Sequence, residues 1–222
     1  MEELLVCPAT KMHVIYNGVV TPTDVERGRE NHNQKPLRTV LFPNRFFSYK
    51  NPLLFIDACA EVFRAVDNVR VQFAGSGELL GAMKQRCRDV GIMHRCTFLG
   101  SLLPEDIPYS EADLVVNCPS SREGMSNVLM EALAQGTPVI ATKVGGSPEL
   151  LRNVPFGRLV PIDDKRALVE AMRDLLLLTD AERVVLGKQA RAYMSEKFSA
   201  QLCVDRHESF YGKILSDRSS DF

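Results

Sequence analysis

The sequence has no tryptophan, no excess of charge of either sign and no long apolar run. Its 27 basic and 28 acidic residues nearly cancel, which removes any bulk electrostatic argument for a nucleic-acid or membrane partner. No apolar stretch approaches the roughly 20 residues that a membrane-spanning helix needs. The composition is that of a soluble globular protein of one domain or slightly more, and no nucleic acid is expected as a partner.

Signals for a metal site and for secretion are also missing. The four histidines show no metal-ligand spacing and the six cysteines form no C-x-x-C pair, so neither a metal nor a cofactor is expected. The cysteines are scattered through apolar segments, as reduced thiols usually are. The first residues, MEELLVCPATK, carry acid where a signal peptide would be basic. A cytoplasmic location is therefore expected.

Regular alternation of strands and helices dominates the rest of the chain. Residues 22–36 are polar and predict a linker. The strands that follow are predicted at 38–42 (RTVLF), 69–74 (VRVQFA), 96–100 (CTFLG), 114–117 (LVVN) and 138–142 (PVIAT). The helices are predicted at 51–65, 78–90, from Ser126 or Asn127 onward, 163–178, 180–197 and 199–216.

Several of these strands are apolar throughout, which indicates a parallel sheet that is covered on both faces. The predicted fold class is α/β, a doubly wound, Rossmann-like parallel sheet. In such folds the ligand binds at the carboxyl ends of the strands. The loops that follow the strands are therefore the places to look for chemistry.

The loop between LVVN and the next helix contains a candidate anion site. Gly124 allows close approach of the backbone, and the amides of Met125, Ser126 and Asn127 would point from the positive end of the helix. Within that helix, Asn127, Glu131 and Gln135 form one narrow polar stripe, which must face either water or a polar cleft. The spacing does not say which.

Other charged residues at the same expected edge suit an elongated phosphorylated ligand. Glu123 and Glu131 would lie at most about 10 Å apart, within reach of one ligand, although a plain helix cap with a solvated glutamate fits equally well. Arg45 and Lys50 follow the first strand and suit a diphosphate, the alternative being two solvated loop charges. Gly75, in the turn AGSGE, lacks a complete G-x-G-x-x-G context, and a tight turn is its simpler explanation.

Taken together and in order, these segments resemble glycosyltransferase family 4, the group 1 transferases of GT-B fold. The resemblance runs from HVIYNGV to about residue 216 and includes YNGV, R-x4-KN at Arg45–Asn51, GSGE, FLG, EGMSNVLMEALAQGTPVIAT at 123–142, GGSPEL and GRLVPIDD at Gly157–Asp164. The E-x7-E block with its Gly-Thr-Pro-Val-Ile-Ala sequel is the specific part. The fold implied is the C-terminal, donor-binding half of GT-B.

The resemblance implies a role for each charged residue. It places Arg45 and Lys50 on the donor diphosphate, Glu123 on the donor sugar and Glu131 on the ribose hydroxyls, so that the polar stripe would face a nucleotide. Arg45, Lys50 and Glu123 are the residues expected to be catalytic.

Backbone segments have implied roles as well. Residues Gly124–Asn127 would form the loop that contacts the donor sugar and phosphate, and Gly75 would also lie in the donor site. The segment Gly100–Leu103 would border the nucleotide base, with Leu103 as its expected donor-binding residue. The family usually has Phe or Leu followed by Gly where Met125 and Ser126 stand, so the identity of the sugar stays open.

GT-B enzymes have two Rossmann-like domains, and this sequence resembles one of them. The expected division is residues 1–36 as the end of the first domain with a hinge and linker, 37–198 as the nucleotide-sugar-binding domain, and 199–222 as a crossover helix and tail. The implied function is retaining, metal-independent transfer from a UDP- or GDP-sugar. The acceptor, a carbohydrate or glycolipid, would be held by the missing N-terminal domain, which would also provide any peripheral membrane association. Alone, the chain is expected to be inactive.

Three other functions compete with this interpretation. Another GT-B enzyme, such as a nucleotide-sugar epimerase or a glycogen synthase relative, would share most of the motifs. A non-catalytic nucleotide-binding module would not need the complete set of Arg45, Lys50, Glu123 and Glu131. A dehydrogenase-type Rossmann domain would need the full glycine fingerprint and an acidic residue about 20 positions later.

Overall fold

The structure, a computed structural model, describes residues 12–21, 37–121 and 123–219. Within these ranges the strands are β1 (Arg38–Pro43), β2 (Val69–Ala74), β3 (Cys96–Gly100), β4 (Leu114–Asn117), β5 (Val139–Thr142) and β6 (Gly157–Val160). The helices are α1 (Pro52–Ala65), α2 (Leu80–Asp89), α3 (Asn127–Ala134), α4 (Ser147–Leu150), α5 (Lys165–Leu176), α6 (Asp180–Lys197) and α7 (Ala200–Ser219). The predicted linker at 22–36 lies outside the described residues.

All six strands are parallel and form one sheet in the order β3-β2-β1-β4-β5-β6. The chain moves outward from β1 in one direction, returns, and continues from β4 in the other. The neighbours β1 and β4 therefore form a topological switch point, where a crevice opens at the carboxyl ends of the strands. The predicted doubly wound α/β class is confirmed.

Helices cover both faces of the sheet, as the apolar strands require. In β1, Val40 and Phe42 point into a core with α1, α2 and α5, whereas Leu41 points into a second core with α3 and α6. This alternation follows from the two-residue period of a strand. Phe42 stacks on Phe55 of α1 with ring centroids 4.7 Å apart, so the central strand anchors the first helical layer.

Local signals explain where several helices begin and end. Pro52 occupies the first turn of α1, where no backbone N–H is needed. Thr179 and Glu182 form a reciprocal capping box at the start of α6. Gly136 follows α3 with a φ of 74°, a backbone conformation that favours glycine. None of the helices among the described residues has the length and apolar character needed to span a bilayer.

The strand β6 was not predicted as a strand. It is only four residues long, and Gly157 and Arg158 interrupt the apolar pattern on which strand prediction depends. Pairing with β5 at the edge of the sheet stabilises it, from Val139 opposite Gly157 onward. This is a tertiary effect that the local sequence does not show.

A buried arginine joins the helical layer to the sheet. Arg183 of α6 is only 7% exposed and donates to the carbonyl oxygens of Asp113 (3.1 Å), Leu175 (2.5 Å) and Leu176 (2.8 Å). Two of these carbonyls end α5, where helical C=O groups lack internal partners and a cation is favourable. Burial lowers the pKa of Arg183 to about 10, which still leaves the side chain charged at neutral pH.

We expect Arg183→Met to lower the free energy of unfolding by roughly 3–5 kcal/mol, because three buried carbonyl groups lose their donor. Urea unfolding followed by circular dichroism measures this loss. Arg173→Met, an exposed position on α5, is the matched control and should change stability by less than about 0.5 kcal/mol. Equal effects of the two substitutions would contradict the assigned role of Arg183.

Candidate functional site

A cavity of about 400 Å³ opens at the carboxyl ends of β1, β2 and β3. Its lining includes residues that follow each strand: Asn44, Arg45 and Lys50 after β1, Gly75 and Ser76 after β2, and Ser101 and Leu102 after β3. The lining contains two cationic side chains and no carboxylate. The cavity therefore suits an anionic ligand, and it lies at the edge where a doubly wound sheet binds its ligands.

The glycine turn after β2 brings two of these loops into contact. A Cβ on Gly75 would lie 2.0 Å from the carbonyl oxygen of Asn44, and the φ of Gly75 is 143°. Its N–H donates to the carbonyl of Gly100 at 2.7 Å. Only glycine allows this close packing, so the tight-turn explanation from the sequence accounts for the residue, which also lines the cavity.

Lys50 and Glu123, two of the residues expected to be catalytic, are paired with each other. Lys50 Nζ lies 2.5 Å from Glu123 Oε2, and the two side chains are only 12% and 10% exposed. The pair joins the loop after β1 to the loop after β4 across the switch point. Lys50 Nζ also lies 5.6 Å from the centre of the Tyr49 ring. An anion at the cavity would therefore have to share Lys50 with Glu123.

Arg45 occupies a different environment from Lys50. Its guanidinium lies 5.9 Å from the centre of the Phe47 ring, and the described structure gives it no carboxylate partner. Because an unpaired guanidinium presents several donors in one plane, Arg45 is the cation available for bidentate contact with an anionic ligand.

Glu131 faces a polar cleft rather than open water. It lines a second cavity of about 410 Å³, together with Asn17 and Asn127. The phenol of Tyr109 donates to Glu131 Oε2 at 2.7 Å, and Tyr109 is only 3% exposed. Burial, and then the nearby Glu131 carboxylate, raise the pKa of Tyr109 well above its ordinary value, so the phenol keeps its proton. One Glu131 oxygen is thus held in place by Tyr109.

The loop before α3 is supported from two sides. Ser126 is buried, and its Oγ accepts a hydrogen bond from Asn117 Nδ2 at 2.8 Å. The N–H of Gly146 donates to the carbonyl of Gly124 at 2.9 Å, which places the GGSPEL turn against this loop. In an α-helix the first N–H groups lack internal partners. The start of α3, with Met125 and Asn127 beside Ser126, therefore keeps donors for a ligand.

The structure does not bring every predicted site residue to the cavities. Leu103 is 61% exposed and lies next to Leu102, which does line the first cavity. Gly124, Met125 and Ser126 belong to the supporting loop, outside the lining of both described cavities.

Asn44 and Tyr109 were missed by sequence reasoning. Tyr109 lies in the segment PEDIPYS between β3 and β4, which carries no motif, and its contact with Glu131 depends on the fold. Asn44 directly precedes Arg45, and its position at the end of β1 was the available signal.

The fold and these loops define a doubly wound α/β domain with a cavity at the carboxyl ends of its strands, lined by Arg45 and Lys50. The family model of group 1 glycosyl transferases matches residues 24–193. The chain therefore belongs to the group 1 glycosyl transferase family, as its resemblance in sequence indicated.

Curated relatives agree with this family. The chain is 29% identical over 205 residues to the Vi polysaccharide biosynthesis protein VipC/TviE of Salmonella typhi, covering 87% of this chain and 35% of that protein. It is 34% identical over 187 residues to the D-inositol 3-phosphate glycosyltransferase of Corynebacterium diphtheriae, covering 80% of this chain and 43% of that enzyme. The chain thus spans less than half the length of these two relatives.

Solved structures share the fold. Anabaena Alr3699/HepE in complex with UDP and glucose matches with a TM-score of 0.75 at 22% identity, over 90% of this chain and 57% of that one. A glycosyltransferase from Rickettsia africae matches with a TM-score of 0.77 at 20% identity, over 93% and 58% of the two chains. At this level of identity the likeness concerns the fold alone.

We expect Tyr109→Phe to lower the free energy of unfolding by roughly 1–3 kcal/mol, because it removes a buried hydrogen bond to a carboxylate and keeps the ring. A double-mutant cycle with Glu131→Gln should show non-additivity, since Glu131→Gln removes the charge from the acceptor of the hydrogen bond that Tyr109→Phe removes. Tyr211→Phe, at a position 58% exposed, is the control and should be nearly neutral. Strict additivity of Tyr109→Phe and Glu131→Gln would contradict the proposed coupling.

Proposed function

We propose that this chain is the donor-binding half of a glycosyltransferase and binds a nucleoside-diphosphate sugar with UDP or GDP as the nucleotide. The observation that carries the proposal is the cavity at the ends of β1–β3, lined by Arg45 and Lys50, with the Lys50–Glu123 ion pair at its side. Support comes from the Anabaena structure of the same fold, which contains UDP and glucose.

In this proposal Arg45 and Lys50 bind the diphosphate. Arg45 supplies bidentate donors and Lys50 a point charge, and both stabilise the diphosphate as it becomes the leaving group. The amides at the start of α3 add fixed partial positive charge. Removal of one such preorganised group typically costs about 10²–10³ in rate. Because these cations neutralise the leaving group, we propose that transfer needs no metal.

The two glutamates bind different parts of the donor. Glu131 accepts hydrogen bonds from the ribose hydroxyls through the oxygen that Tyr109 leaves unoccupied. Glu123 contacts the sugar, and its ion pair with Lys50 ties the position of the sugar to that of the diphosphate. From the resemblance to group 1 transferases we further propose that the acceptor attacks the face from which the diphosphate leaves, with retention of configuration.

The acceptor requires a second domain. Orientation of the acceptor against the sugar carbon supplies much of the rate in a group transfer. The group 1 relatives are longer than this chain, which covers 35% of one and 43% of another. We propose that the other domain of such a two-domain enzyme holds a carbohydrate or glycolipid acceptor, and that this chain alone binds the donor without transferring the sugar.

We expect UDP or GDP to bind in the presence of a chelator, as measured by isothermal titration calorimetry. Arg45→Met should weaken this binding about 10- to 100-fold, because charged hydrogen bonds to the diphosphate are lost. Arg173→Met is the matched control and should bind as the wild type does. Binding that disappears with chelator and returns with magnesium would contradict metal independence. Equal affinities of Arg45→Met and wild type would show that Arg45 does not contact the nucleotide.

We expect Glu131→Gln and Glu123→Gln to act on different ligands. Glu131→Gln should weaken binding of UDP itself roughly 5- to 100-fold through its ribose contacts. Glu123→Gln should leave UDP affinity equal or higher, because Lys50 is released to the diphosphate, and should weaken only the added affinity of the sugar. Glu170→Gln, an exposed position on α5, is the control. A larger loss of UDP affinity in Glu123→Gln than in Glu131→Gln would overturn the two roles.

A further inference from the structure

Asn44 is a residue of the loop that follows β1, and it has not yet been given a role. It follows β1 directly, precedes Arg45 and lines the same cavity. Asn44 is only 6% exposed to solvent. Its backbone carbonyl packs against Gly75, so the position of the residue is set by the neighbouring turn.

The side-chain amide of Asn44 is buried without a partner. Neither Nδ2 nor Oδ1 makes a hydrogen bond to any of the described residues, and both atoms are buried in the ligand-free chain, so the side chain must rotate before a ligand in the cavity can reach the amide. Buried polar groups in native proteins are nearly always hydrogen-bonded, and a buried group without a partner is unfavourable to the folded state. Asn117 differs in part, because its Nδ2 donates to Ser126, although its Oδ1 also has no partner among the described residues. Such an amide in the wall of a cavity is typical of a group that a ligand completes.

The surroundings indicate what that ligand group is. The cavity lining carries Arg45, which has no carboxylate partner among the described residues, and Lys50, which is paired with Glu123, so it favours an anion chiefly through Arg45. The hydroxyls of Ser76 and Ser101 are already bonded to each other at 2.8 Å. The amide Nδ2 is therefore a donor without a partner among the described residues, on a residue that lines the same cavity as Arg45, which suits a phosphate oxygen.

We propose that Asn44 is a further donor-binding residue, whose Nδ2 donates a hydrogen bond to a phosphate oxygen of the bound nucleoside diphosphate. The proposal rests on the function proposed above and adds a neutral donor to the two cations. Arg45 and Lys50 recognise the charge of the diphosphate, whereas a short, buried amide recognises the position of one oxygen. Asn44 thereby contributes to the orientation of the leaving group.

The test uses Asn44→Ala and Asn44→Asp, with Asn68→Ala and Asn68→Asp as controls at an exposed position. Thermal unfolding of the ligand-free chain is measured first. Calorimetry then gives the affinity for UDP, and NMR titration gives the affinities for inorganic pyrophosphate and uridine. Asn44→Ala should unfold at the wild-type temperature or above, because it removes a buried amide that bonds to nothing in the chain.

The affinities for UDP, pyrophosphate and uridine show which part of the nucleotide Asn44 contacts. Asn44→Ala should bind UDP and pyrophosphate roughly 5- to 50-fold more weakly than wild type, with uridine unchanged. Asn44→Asp should lose more affinity for UDP and pyrophosphate than Asn44→Ala does, because it places a carboxylate beside the phosphate. The Asn68 variants should match wild type throughout.

Two results would overturn the assignment. If Asn44→Ala bound UDP as tightly as the wild type does, the proposed hydrogen bond from Asn44 to the phosphate would not exist. A drop in the unfolding temperature of ligand-free Asn44→Ala, with uridine affinity falling as much as UDP affinity, would show that Asn44 supports the fold instead. In both cases the wild-type chain still binds UDP, so the proposed function is not affected. If the wild type itself binds neither UDP nor GDP, the proposed function fails and the role of Asn44 fails with it.

Discussion

The ion pair between Lys50 and Glu123 is the contact on which the geometry of the site depends. The two residues come from loops that leave neighbouring strands, β1 and β4, and diverge on opposite sides of the switch point. Their charges meet at 2.5 Å with little exposure to solvent, where attraction is less screened than at an open surface. The pair links the two loops across the crevice, next to the hydrogen bond that the N–H of Ser120 donates to the carbonyl of Tyr49 at 2.8 Å.

The rest of the site is held in a similar way by contacts between neighbouring residues. Tyr109 positions Glu131, Asn117 positions Ser126, and the carbonyl of Asn44 packs on Gly75. Preorganised groups of this kind stabilise a ligand without further ordering when it binds. The side chain of Asn44 differs from these, since neither polar atom of its amide has a partner among the described residues.

Much of the fold could be predicted from the sequence, because short apolar runs bounded by turn residues carry strong local signals. The strands Val69–Ala74 and Leu114–Asn117 and the helix Asp180–Lys197 have the predicted bounds. The edge strand Gly157–Val160 could not be found, since its pairing with β5 stabilises it more than its composition does.

The site was harder to predict than the fold. The charged residues Arg45, Lys50, Glu123 and Glu131 were identifiable by type and position. Their pairing was not, because a contact between loops 73 residues apart leaves no trace in local spacing. Tyr109 was missed for the same reason. Leu103 stays a prediction: it is exposed, and its neighbour Leu102 is the residue that lines the cavity.

The central claim is that the cavity at the ends of β1–β3 holds the diphosphate of a sugar nucleotide. A crystal structure of this chain with UDP bound tests it most directly. The account predicts phosphate oxygens within hydrogen-bond distance of Arg45 and Lys50 and the ribose hydroxyls on Glu131. A UDP molecule bound elsewhere on the chain, with Arg45 and Glu131 free of contact, would contradict it.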